Sequence, residues 1–229
     1  MRTKAYVPAA LTQHVQSDPA LQRCTGGVSS RESSTALSVV TRLYEYIFPA
    51  MWLSWAAYWW LLSKRVKTTV QREPLGRRLS HIVPLVLAVF LLWIPHLPVP
   101  VLGDRLYPWA PWSFWLGAVV TAAGLLFAVW ARVHIGANWS GIVTIKEGHD
   151  LIMTGPYALV RHPIYAGLSL GFIGSAIARG EWRGVLAAVI VVVSFWFKLR
   201  FEERWMRQQF GAAYDIYSQR VSALIPTRM

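Results

Sequence analysis

Apolar residues fall into five blocks separated by polar stretches, at about 36–62, 81–97, 113–133, 163–178 and 185–199. Each block is too long and too continuously apolar for a half-buried strand, so each predicts a helix. A helix that crosses a bilayer needs about 20 apolar residues. The fourth block, about 16 residues long, is short for that and is expected to tilt or to be shielded by its neighbours. Pro49 sits inside the first block and is expected to kink it. Between the blocks run a basic loop (64–78), a short loop around Asp104 and Arg105 flanked by Tyr107, Trp109 and Trp112, a long polar connection (134–161) and a tight turn (179–184). In the long connection, VTIKEGHDLIMTGPY is rich enough in β-branched residues to pair as a short hairpin. In the tail, Met206, Phe210, Tyr214, Tyr217 and Val221 recur at helical spacing, which predicts an amphipathic helix ended by Pro226.

The pattern predicts an all-α integral membrane protein. It would have about five transmembrane helices, a cytosolic C-terminal amphipathic helix and a short loop or hairpin before the fourth span. The expected organisation is a polar arm (1–35), three spans (36–133), and a region with two further spans and the C-terminal helix (134–229). No apolar run in the arm reads as a secretory signal.

Charge sharpens this picture. The net charge of +12 suggests either a nucleic-acid surface or basic loops around membrane spans. Of the 23 Lys and Arg, six lie in the first loop, three in the third and six in the tail, against one in the second loop and two in the fourth. That alternation is the positive-inside asymmetry, and it puts loops one and three and the C-terminus in the cytoplasm. Nucleic acid is excluded as a partner and the lipid bilayer takes its place. The remaining five basic residues precede or open the first block, which this topology places outside. The single cysteine, Cys24, makes no intrachain disulfide and reads as a surface residue.

Chemistry concentrates in 146–171, KEGHDLIMTGPYALVRHPIYAGLSLG. Gly155-Pro156-Tyr157 is a turn signal. Arg161 and His162 stand directly ahead of Pro163, a residue suited to the first position of a helix. The tight turn at 179–184 makes spans four and five an antiparallel hairpin. It therefore brings Tyr157, Arg161, His162 and Tyr165 toward Lys198, Arg200, Glu202 and Glu203 on the cytoplasmic side. Taken singly, these residues have plainer readings as interface aromatics, lipid-phosphate anchors, a helix cap or solvated carboxylates. Together they make Arg161, Arg200 and Glu203 the catalytic candidates. Glycines 167, 171 and 174, with Ser175 and Ala178, form a small-residue ridge suited to close helix packing. His134, His149 and His162 lack metal-ligand spacing, so no metal is expected. His134 and His149 have no partner visible in the sequence. There is no nucleophile elbow and no dinucleotide fingerprint after a strand.

The segments 138–167, NWSGIVTIKEGHDLIMTGPYALVRHPIYAG, and 202–226, EERWMRQQFGAAYDIYSQRVSALIP, resemble the isoprenylcysteine carboxyl methyltransferase family. Its relatives, the phospholipid N-methyltransferases, share the GPY…RHPxYxG turn. The motif is complete here in Arg161, His162, Pro163, Tyr165 and Gly167, followed by Glu202, Glu203, Phe210, Gly211, Tyr214 and Tyr217. The resemblance covers residues 138–226; the first three spans match only in being hydrophobic. It implies a multi-pass membrane enzyme that uses S-adenosylmethionine, yields S-adenosylhomocysteine and methylates a lipophilic or prenylated acceptor. Carried over by motif, the cofactor residues are His149, Leu151, Ile152, Tyr157, His162, Pro163, Tyr165 and Glu202. Arg200 or Lys198 is expected to hold the acceptor carboxylate, with Arg200 preferred. A phospholipid amine and a small thiol are the alternative acceptors. A sterol-reductase-like protein using NADPH, or a non-catalytic membrane scaffold, are the alternatives of another class.

Overall fold

The computed structural model describes residues 42–62, 75–94, 99–108, 110–136 and 151–227. The chain divides into two units, Met1–Leu43 and Tyr44–Met229; the second carries the architecture below. The expected polar arm lies outside the described residues, as do most of the first basic loop and residues 137–150, with His149.

The described residues are helical, without strands. Helix α1 covers 44–62 within the second unit, with Pro49 inside it. Then follow α2 (Leu75–Trp93), the single turn α3 (Pro100–Gly103), α4 (Pro111–Ile135), the single turn α5 (Pro156–Leu159), α6 (Pro163–Arg179), α7 (Trp182–Phe210) and α8 (Ala212–Arg220). Four of these helices start on a proline at the first turn, where its missing N–H has no partner to lose. Among the described residues, two helices, α4 with 25 residues and α7 with 29, are long and apolar enough to cross a membrane. At 17 residues, α6 spans about 26 Å, short of a bilayer core of about 30 Å.

Three expectations are modified. Leu151–Met153 carry no strand, and the rest of the expected hairpin lies outside the described residues. The helix of the fifth apolar block does not end with that block at residue 199: α7 runs on unbroken to Phe210. The expected tail helix is therefore split, its first part being the end of α7 and its second part α8. The break is Gly211, whose φ of +52° is a conformation glycine adopts without strain.

The small-residue ridge of α6 packs on α4. A Cβ at Gly167 would lie 2.5 Å from the carbonyl oxygen of Gly124, and one at Gly174 would lie 2.5 Å from the amide nitrogen of Thr121. Backbones this close leave no room for a side chain, which is why glycine occupies these positions. Polar atoms on the ridge are paired. Ser175 Oγ donates to Gly171 O at 2.9 Å, and Trp52 Nε1 donates to Ser175 Oγ at 3.1 Å. The core joins α2, α4, α6 and α7 through Leu92, Leu125, Phe172, Val191 and Phe195.

At the end remote from the RHP turn, Arg179 and Arg183 both bond Glu181. They also donate to the carbonyls of Leu92 and Ile94, where α2 ends with unpaired acceptors. The 179–184 turn is thus pinned, and it fixes the register of α6 against α7. That register decides which residues meet at the other end.

Candidate active site

The site begins with a backbone that cannot continue as helix. Gly155 has φ +59° and ψ −132°, and Pro156 then opens α5. Val160 is extended, and so in φ is His162 at −123°. The residue before a proline is pushed out of the α region, so His162 separates α5 from α6 and holds the N-cap position without a side-chain cap bond. The freed backbone groups find distant partners. Arg161 N donates to Ser222 O at 2.9 Å and His162 N to Ala223 O at 3.0 Å. The end of the chain is thereby laid along the RHP turn.

Arg161 closes the same contact with its side chain. Nη1 donates to Ser218 O at 3.0 Å and also to Val221 O, while Nε and Nη2 both reach Glu203 Oε1, at 2.9 and 2.5 Å. His162 Nε2 lies 3.3 Å from the same oxygen, and its Nδ1 lies 3.8 Å from Glu202 Oε2. Tyr165 OH donates to Glu202 Oε1 at 2.5 Å. Its ring lies between His162 and Phe195, with stacked centroids at 5.8 and 4.9 Å. Arg161, His162, Tyr165, Glu202 and Glu203 are thus one connected group, drawn from the RHP turn, the start of α6 and the end of α7.

The two carboxylates differ. Glu203 is buried, its side chain 6% exposed against 21% for Glu202. Burial pushes the Glu203 carboxyl up, but the bonds from His162 and Arg161 override this and hold it at about 2. Glu203 is therefore a fixed anion already matched by Arg161, whereas Glu202 sits at the rim with acceptor capacity to spare. The hydroxyls of Tyr157, Tyr214 and Tyr217 are all pushed upward by burial. They stay protonated, and Tyr217 OH donates to Tyr157 O at 2.6 Å.

Of the remaining expected residues, Pro163 is buried at the start of α6, and Leu151 and Ile152 are partly buried ahead of the turn. Lys198 and Arg200 part company. Lys198 Nζ lies 5.6 Å over the Tyr165 ring, while Arg200 is exposed and its guanidinium lies 4.9 Å over Trp196. Two residues along a helix turn about 200°, so Arg200 projects away from the face that carries Lys198 and Glu202. Lys198 also borders a cleft of about 550 Å³ between α2 and α7. The cleft wall is mostly apolar (Pro84, Ile190, Val193, Phe197, Phe201), with Ser80, His81 and Ser194 as its polar points. It does not contain the carboxylates and meets their group through Lys198.

Residues 112–213 match the family model described as "Phospholipid methyltransferase". A probable protein-S-isoprenylcysteine O-methyltransferase of Oryza sativa subsp. indica is 29% identical over 144 residues, 62% of this chain and 75% of that protein. The protein-S-isoprenylcysteine O-methyltransferase of Schizosaccharomyces pombe is 32% identical over 99 residues, 42% of each chain. The phosphatidyl-N-methylethanolamine N-methyltransferase of Emericella nidulans is 30% identical over 105 residues, 45% of this chain and 46% of that one. The chain is thus similar to the isoprenylcysteine carboxyl methyltransferases and to their relatives, the phospholipid methyltransferases. It is a membrane methyltransferase of the S-adenosylmethionine-dependent kind. In this methyltransferase the matched segment holds the whole connected group of side chains, while Ser218 and the carbonyls of 221–223 that anchor Arg161 and His162 fall beyond it.

Two features around the candidate site were not expected from the sequence. One is the pairing of 161–162 with 222–223. The other is His134, whose Nε2 lies 2.9 Å from Thr154 Oγ1. Neither leaves a local signal, because both join residues far apart in the chain.

Proposed function

We propose that this protein is a multi-pass methyltransferase that transfers a methyl group to the carboxylate of a lipophilic acceptor, as in protein-S-isoprenylcysteine O-methylation. Five spans, with the RHP turn and the C-terminus in the cytoplasm, are the topology that the distribution of basic residues supports. The observation that carries the reading is the position of Lys198, between the Tyr165–Glu202 pair and the apolar cleft.

The residues suit the cofactor by their chemistry. Glu202 offers a rim carboxylate for hydroxyl or ammonium groups, and Tyr157, His162 and Tyr165 offer aromatic ring edges beside it. When bound, S-adenosylmethionine supplies an electrophilic methyl group on a sulfonium. Everything else is asked of the chain, and it is mainly alignment and exclusion of water. Arg161 and Glu203 neutralise each other and hold the RHP turn against α7. Tyr165, pinned by Glu202 and stacked on Phe195, orients the wall between the cofactor side and the cleft. Lys198 is the cation suited to a carboxylate head, with the hydrocarbon part in the cleft between α2 and α7. A carboxylate is ionised at neutral pH, so this site needs no general base. An amine acceptor would have to lose a proton, and Glu202 or His162 is then the group within reach.

A labelled-methyl transfer screen separates these acceptors. Purified protein with labelled S-adenosylmethionine is offered prenylcysteine analogues, phosphatidylethanolamine vesicles and small thiols. Base-labile methyl ester on a prenylcysteine analogue is the expected product. Label confined to phospholipid amine or to thiol would overturn the carboxylate assignment.

A further inference from the structure

Nothing in the proposed chemistry uses His134. It stands in the last turn of α4, a helix that contributes none of the connected side chains. Its ring nevertheless engages the turn ahead of α6 at three residues, Thr154, Gly155 and Tyr157. Nε2 lies 2.9 Å from Thr154 Oγ1. The ring stacks with that of Tyr157, centroids 6.4 Å apart and planes at 27°. Between them, a Cβ on Gly155 would come within 2.7 Å of His134 Cε1 and 2.9 Å of each ring nitrogen. The imidazole therefore lies flush against the bare Cα of a glycine that is also held at φ +59°. Any other residue at 155 would displace the ring and strain the backbone together.

A four-residue turn such as α5 has no stability of its own, since nucleating a helix costs more than one turn returns. It must be held from outside. Tyr217 grips the Tyr157 carbonyl from α8 at 2.6 Å, and His134 holds the Thr154 hydroxyl and the Tyr157 ring from α4. Tyr157 is thus clamped between two helices, and its ring orientation follows from the His134 contact.

We propose that His134 is a positioning residue of the cofactor pocket: it fixes the Thr154–Tyr157 turn, and through it the Tyr157 ring. This rests on the reading that Tyr157 borders the S-adenosylmethionine site. The Thr154 hydroxyl can donate or accept, so either imidazole tautomer serves. Glutamine, which can place a polar atom near the Nε2 position, is the conservative replacement.

The test uses full-length protein in detergent, as wild type, His134→Ala, His134→Gln and Thr154→Val. Two quantities are read: hydrogen exchange at the Tyr157, Ala158 and Val160 amides, and S-adenosylhomocysteine affinity by calorimetry alongside the KM and kcat for S-adenosylmethionine. The loss of one hydrogen bond and a stacking contact sets the expected scale. His134→Ala should speed exchange at all three amides and weaken affinity and raise KM by about tenfold, with kcat at saturating cofactor within about twofold. Thr154→Val should act in the same direction, and His134→Gln should return both readouts to within about threefold of wild type. Unchanged exchange in His134→Ala would overturn the contact. Faster exchange with unchanged affinity would leave His134 a merely structural residue and overturn the positioning role. A folded wild type that binds no S-adenosylhomocysteine would overturn the cofactor reading and this role with it, and the exchange data would distinguish that from failure of the contact alone.

Discussion

Arg161 and Glu203 meet through two hydrogen bonds to one oxygen, from Nε at 2.9 Å and Nη2 at 2.5 Å, with side-chain exposures of only 11% and 6%. Removing one member of a buried pair leaves the other uncompensated and costs on the order of 3–5 kcal/mol. Arg161→Met and Glu203→Leu should therefore each lower the thermal unfolding midpoint sharply, whereas the double variant should be less destabilised than the two losses added. Arg161→Met should be the worse single change, because it also abandons the carbonyls of Ser218 and Val221. Thermal unfolding of the four proteins in detergent reads this, and strict additivity would contradict it.

Acid should act through the same pair. The Glu203 carboxyl is held at about 2 against an ordinary 4.5. Its ionised form is favoured by folding, so its contribution is complete above about 4.5 and disappears as pH falls toward 2. The difference corresponds to on the order of 3 kcal/mol. Glu203→Gln should be less stable than wild type at neutral pH and should lack the steep loss between those values. Unfolding midpoints measured across that window decide it, and parallel curves for the two proteins would sink the assignment.

The end of the chain is part of the site. Ser222 and Ala223 supply acceptors for the Arg161 and His162 amides, and Val221 supplies one for the Arg161 guanidinium. Ending the chain after Arg220 removes all three while leaving the packed helices α2, α4, α6 and α7. Helical circular dichroism should stay within about 10% of the full chain, with cofactor affinity lost by tenfold or roughly more, since several bonds of about 1 kcal/mol each are removed. Full affinity in the truncated protein would show that the RHP turn holds its shape without this strap.

Lys198 and Arg200 give opposite expectations. With Lys198 over Tyr165 at the cleft and Arg200 stacked on Trp196, Lys198→Met should raise the acceptor KM by roughly tenfold or more, the scale of a lost charge-assisted bond. Arg200→Met should stay within about threefold, as expected for an exposed charge. Steady-state kinetics against a carboxylate acceptor tests this, and the reverse order would restore Arg200 as the acceptor's partner.

Much of this was legible in the chain itself. The α4 and α6 boundaries follow from the apolar blocks and the prolines at 111 and 163. Glycines 167, 171 and 174 made close packing of α6 legible, but the identity of its partner, α4, came from the structure. The meeting of 161–165 with 202–203 follows from the short, pinned turn at 179–184. Helical phase also separates Arg200 from Lys198 and Glu202, so its outward position was available from spacing alone. The continuation of α7 to Phe210 was hidden by the change from apolar to charged residues after Leu199, because hydropathy marks a membrane boundary and not a helix end. The His134–Thr154 contact and the strap at 222–223 were not legible, since each is fixed by tertiary packing between elements with no shared pattern.

Glu202 and His162 are the residues on which the proposed cofactor site stands. Calorimetric titration of the detergent-purified wild type, Glu202→Ala and His162→Ala with S-adenosylmethionine, with NADPH as control, tests it most directly. The wild type should bind S-adenosylmethionine and ignore NADPH, and both variants should lose that binding while retaining wild-type helical content. A folded wild type that takes up no S-adenosylmethionine, or two variants that bind it as the wild type does, would contradict the account.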